Sequence, residues 1–172
     1  MSENRLDPTV AGLFMTALIA LIFGFLGIEL YSTTDWNLFG VAGTLSAIIG
    51  IIFVVLTVSA IRFGNAFATS LFAFVAIALI AVPICLLTSW FAFILLTIFF
   101  IVFALIAFLV GAPKLLAIML IFIALLFLFV GLYTGPSGEE IYAILFGVFG
   151  LLGGLVALYL AFALSTEKLP VF

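Results

Sequence analysis

Apolar and polar positions along this chain come in blocks. Apolar runs of roughly 20 residues, the length that crosses a hydrocarbon core, alternate with short breaks holding turn formers, charges and interfacial aromatics. Backbone in lipid must satisfy its own polar groups, so each break marks a loop. The runs predict six helices: Thr9 to Tyr31, Leu38 to Ile61, Ala66 to Leu87, Trp90 to Leu109, Leu115 to Tyr133 and Ile141 to Leu164.

The first break, from Ser32 to Asn37, includes Trp36, a residue suited to a membrane interface. The second is Arg62-Phe63-Gly64-Asn65. From Ala66 to Pro113 there are 48 residues without one charged side chain, too many for a single crossing, and the least apolar point, Thr88-Ser89-Trp90, divides them into two. Pro83 withholds a backbone donor and is expected to kink the third helix near its outer end. Gly111-Ala112-Pro113-Lys114 starts the fifth helix, and the most polar loop, Thr134 to Glu140, precedes the sixth.

Composition agrees with a lipid solvent. The chain is 172 residues long, 69% hydrophobic and 6% charged, whereas a water-soluble domain is typically about a quarter charged. The fold class is therefore all-α: a polytopic membrane protein with six transmembrane helices in one bundle. A short cytoplasmic N-terminus (1–8), a transmembrane domain (9–164) and a short cytoplasmic tail (165–172) complete the organisation. The first run is too long for a typical cleaved signal peptide and reads as a retained helix. Six crossings place both termini on one side, and Arg5, Arg62, Lys114 and Lys168 all fall there, while the opposite loops hold Asp35, Glu139 and Glu140. By the positive-inside rule that side is the cytoplasm, and the membrane is the plasma or inner membrane.

Several function classes drop out. A net charge of −3 with no cluster of Lys or Arg gives nothing to neutralise phosphates, which excludes nucleic acid. There is no histidine and one cysteine, Cys85, in an apolar run, so neither a metal site nor a cofactor is expected. No paired nucleophile and base lies within the membrane, so no catalytic residue is assigned and the chain is not read as an enzyme. Glu29, near the outer end of the first helix, reads first as a snorkelling carboxylate and second as a group that attracts substrate. Glu139 and Glu140 suit a solvated loop and helix start. No charge falls at mid-membrane, where pumps and exchangers usually keep one.

Any polar route must then use neutral groups: Thr16, Thr44, Ser46, Thr57, Ser59, Asn65, Thr69, Ser70 and Thr97. For most of them the plain alternative is a hydrogen bond to a helix backbone. Asn65, Thr69 and Ser70 stand apart, because they cluster at the inner start of one helix, whose free N–H groups and dipole favour a small anion. Gly147, Gly150, Gly153 and Gly154 in the last helix, and Gly40, Gly43, Ala47 and Gly50 in the second, read as faces for close helix packing. The 22 phenylalanines read as packing or lipid contacts, a few of them as a hydrophobic constriction.

These landmarks resemble those of the acetate uptake transporters, whose bacterial members include the succinate–acetate permeases. The family's Asn-Pro-Ala-Pro-Leu-Gly-Leu is similar to Asp7-Pro8-Thr9-Val10-Ala11-Gly12-Leu13, which lacks the second proline. Its Gly-Asn-Thr-Phe-Gly-Leu-Thr-Ala-Phe is similar to Gly64-Asn65-Ala66-Phe67-Ala68-Thr69-Ser70-Leu71-Phe72. Gly111-Ala112, Tyr159-Leu160-Ala161 and Leu169-Pro170 also resemble family landmarks. The resemblance implies a homohexamer in which each protomer has its own pathway for acetate-like carboxylates, with Gly12 and Phe72 joining Asn65, Thr69 and Ser70 at the substrate. It further implies a constriction of Phe, Tyr and Leu on helices one, three and five, which aligns to Thr16, Val75 and Phe122. The aromatic pair is thus replaced, although Phe74 stands beside Val75.

The expected function is a membrane channel or uptake carrier for acetate and similar small monocarboxylates. The alternatives are a channel for a small neutral solute such as urea or a short amide, and a non-transporting scaffold or acid-stress protein.

Overall fold

The computed structural model describes residues 8–33, 37–88, 90–136, 138–166 and 170, of which the side chains of 31–33, 37–38 and 87–88 are left aside. Arg5, Asp7, Asp35, Trp36, Ser89, Lys168 and Leu169 lie outside the described residues. Six helices follow one another: α1 (Pro8–Thr33), α2 (Asn37–Phe63), α3 (Ala66–Thr88), α4 (Trp90–Leu109), α5 (Lys114–Thr134) and α6 (Glu140–Thr166). Each is long and apolar enough to cross a membrane, and the described residues contain no strand. The protein is an all-α, multi-pass membrane protein. α1 begins on Pro8, whose missing N–H costs nothing in a first helical turn. α3 runs through Pro83, against which α2 closes at Gly43.

The helices form a closed ring in chain order, with α6 packing back on α1. Residue size sets how closely each pair approaches. Along the α1–α6 seam, Gly24 and Gly27 face Gly147 and Gly150, Gly154 faces Leu21, and a Cβ at Gly27 would stand 2.6 Å from the Gly147 backbone. The small-residue face of α6 therefore serves packing within the protomer, against α1 rather than α2. The α3–α4 seam is instead the loosest between neighbours. It is filled by Phe74, whose ring lies 5.2–5.3 Å from those of Phe99, Phe100 and Phe103.

The face carrying the start of α1 and the end of α6, here the terminal face, also carries two tight turns. α2 ends on Gly64 (φ +71°), with Asn65 N–H donating to the Ala60 carbonyl (3.2 Å) and Gly64 N–H to Ile61 (3.0 Å). α4 ends in the same way on Gly111 (φ +70°), with Ala112 N–H donating to Ala107 (3.0 Å) and Gly111 N–H to Phe108 (3.3 Å). In both turns the left-handed glycine caps the orphan carbonyls of the preceding helix and lets the chain reverse at once. Exposed Arg62 and Lys114 flank these turns.

Candidate functional site

Inside the ring lie two cavities in series. The larger, about 270 Å³, has its mouth at the two glycine turns, between Asn65 on one side and residues 110–113 on the other. α1 supplies Thr9, Gly12, Leu13 and Thr16 to its wall, and α2 supplies Phe53. Leu71, Phe72 and Val75 come from α3, and Leu116, Met119, Leu120 and Ile123 from α5. No charged side chain lines it, and its polar side chains are Thr9, Thr16 and Asn65. The smaller cavity, about 30 Å³, lies deeper, and every side chain around it except Thr16 is apolar.

Four residues line both cavities and so form the neck between them: Thr16 of α1, Val75 of α3, Phe100 of α4 and Ile123 of α5. Thr16 Oγ1 donates to the Gly12 carbonyl at 2.8 Å, an i−4 bond within its own helix. With its proton committed there, the hydroxyl offers the neck lone pairs and no donor. The neck has neither a cation nor an N–H donor from a side chain.

Beyond the small cavity the described residues pack against one another. Each helix sends a buried residue into this outer half: Leu30, Phe39, Val82, Phe93, Tyr133 and Phe146. Phe127 lies stacked between Phe100 (5.4 Å) and Phe93 (6.2 Å), and Tyr133 lies 6.0 Å from both Phe39 and Phe146. Among the described residues, the interior is thus open toward the terminal face and filled by aromatic and aliphatic side chains toward the other.

At the mouth, Asn65 caps α3: its Oδ1 accepts the Ala68 N–H at 3.0 Å, which leaves its NH₂ group available as a donor. Phe72 and Gly12 meet across the cavity, the tip of the Phe72 ring resting where a Cβ on Gly12 would stand. Thr69 and Ser70, expected beside Asn65, line neither cavity. Their hydroxyls donate to the Asn65 and Ala66 carbonyls (2.8 and 3.0 Å), and Ser70 is exposed. Ser46 and Thr97, buried in the bundle, likewise bond back to Ala42 and Phe93 (2.7 and 2.9 Å). Among the expected constriction residues, Thr16 and Val75 stand at the neck. Phe122 lines neither cavity; its ring lies 6.2 Å from Phe149 of α6, while its neighbour Ile123 faces the neck. Phe100, the aromatic side chain at the neck, comes from α4, a helix from which the sequence offered only Thr97 as a candidate for the polar route.

No family model matches the chain, and no curated protein matches it. The solved structure of the bacterial acetate channel SatP has the same fold, with a TM-score of 0.74 over 98% of this chain and 100% of that one, at 16% sequence identity.

Proposed function

We propose that the protein is a membrane channel or uptake carrier for acetate and similar small monocarboxylates. The observation that carries the reading is the uncharged cavity inside a closed helix ring, with an amide donor at its mouth and a narrow neck behind it. Its likeness in fold is to an acetate channel and not to an enzyme. Arg62 and Lys114 beside the mouth support, by the positive-inside rule, an orientation with that end in the cytoplasm; the membrane in this reading is the plasma or inner membrane. The resemblance read in the sequence adds a homohexamer with one pathway in each protomer.

At the mouth, Asn65 Nδ2 and the first N–H groups of α3 replace part of a carboxylate's hydration. The neck cannot do so: a carboxylate there would meet a hydroxyl lone pair and apolar carbon, and burying an unpaired charge is costly. A protonated acid, in contrast, can donate its O–H to Thr16 Oγ1. The species that crosses the neck is therefore the neutral acid.

The test is labelled acetate flux into proteoliposomes, taken above empty liposomes. Protein-dependent flux is expected, with Asn65→Ala slowing it several-fold and Ser70→Ala leaving it within twofold, because the Ser70 hydroxyl lies outside both cavities. Flux indistinguishable from empty liposomes at acidic and neutral pH would overturn the reading, and inhibition by urea without inhibition by acetate would replace it with a neutral-solute channel.

A further inference from the structure

The large cavity has more apolar room than acetate uses. We infer that its preferred ligand is a monocarboxylic acid with a short apolar tail, of the butyrate class, and that dicarboxylates of similar length are disfavoured. The inference rests on the carboxylate-pathway reading above and concerns which carboxylates the cavity holds.

Acetate has about the bulk of two water molecules, roughly 60 Å³ by water's share of the liquid, against about 270 Å³ of cavity. The polar side chains cover only part of the wall: Thr9 and Asn65 stand near the mouth and Thr16 stands at the neck. Between them the surface is Leu13, Leu71, Leu116, Met119 and Leu120, each otherwise buried. Water there has few partners, and an alkyl tail that displaces it gains the full apolar transfer energy. A carboxylate held at Asn65 directs its tail into this region. The second carboxylate of succinate would have to sit among the same leucines, where no Arg, Lys or side-chain amide reaches it, and that desolvation is uncompensated.

Each methylene buried in this way tightens binding by about fourfold, so butyrate is expected to bind about fifteen-fold more tightly than acetate. Succinate is expected to bind more weakly than acetate. The measurement is equilibrium binding of labelled butyrate to the protein in nanodiscs, with empty nanodiscs subtracted, competed by acetate, butyrate and succinate at one buffered pH. Leu120→Phe, which puts a ring where the tail would lie, should bring the butyrate-to-acetate ratio toward one. If that variant does not fold, the wild-type series still decides. Equal affinity for butyrate and acetate, or succinate competing as well as butyrate, overturns the inference. Acetate flux in proteoliposomes is scored separately. Flux without tail preference leaves the transport reading standing and removes this one; tail preference without flux does the reverse.

Discussion

Thr16 is the polar side chain at the neck, and its hydroxyl proton is already given to the Gly12 carbonyl. Thr16→Val keeps the shape and removes the acceptor. If a neutral acid donates to that oxygen as it crosses, the substitution forfeits one hydrogen bond of about 0.5–1.5 kcal/mol at the neck. Protein-dependent acetate flux should then fall by about two- to thirteenfold while the half-saturating concentration, set at the mouth, moves little. Unchanged flux would mean that the hydroxyl only serves its own helix. Sequence reasoning reached Thr16, Val75 and Asn65 because hydroxyls, amides and motif positions are visible as letters. It could not separate Phe99 from Phe100. The two are chemically identical neighbours, yet Phe99 is 52% exposed and Phe100 is 4% exposed at the neck. In a soluble helix a polar outer face would have told them apart; in lipid both faces are apolar and periodicity loses its contrast. The same degeneracy hides the difference between Phe122, whose ring is tilted against Phe149, and Ile123 at the neck.

Helix ends survive this loss of contrast, because they are set by residues that lipid does not tolerate. All six helices begin and end within two residues of the expected positions, and Gly64 and Gly111 take the left-handed conformation that stops a helix sharply. Pairing of helices was only half legible. The glycines of α6 announced close packing, but the partner, the Gly24 and Gly27 stretch of α1, follows from ring closure, a property of all six helices together. That seam has a measurable consequence. At Gly27 a methyl would meet backbone of α6 at 2.6 Å, which no rotamer change can relieve. At Gly153 the nearest atom is the mobile Ile123 Cδ1, at 3.1 Å. Overpacking against rigid backbone costs about 1–3 kcal/mol, which for a chain of this size is about 2–12 °C in Tm. Gly27→Ala should lower the thermal midpoint in detergent by several degrees, and Gly153→Ala should leave it within about two. Equal midpoints would show that α1 and α6 can separate at little cost.

At the scale of the whole molecule, the cavity opens at one end and passes through an uncharged neck, and under the proposed function every substrate has to cross that neck. Its lack of charge makes a prediction that no single residue does. A simple carboxylic acid titrates near pH 4–5, as the Glu side chain does at about 4.3, so its neutral fraction falls about tenfold for each pH unit above that range. If only this form passes the neck, protein-dependent acetate flux at fixed total acetate should fall by about the same factor between pH 6 and pH 7, with equal pH on both sides. Each crossing then carries a proton with the acid and moves no net charge, so an imposed membrane potential should not alter the rate. An anion-conducting pathway behaves in the opposite way on both counts: its flux is nearly flat over the same pH interval, because acetate is already ionised, and it responds to potential by about 2.3 kcal/mol per elementary charge for each 100 mV. Proteoliposomes with valinomycin-clamped potentials at two pH values separate the outcomes in one experiment. A potential-dependent, pH-flat flux would move the barrier away from the Thr16 neck and require a donor to reach the anion there.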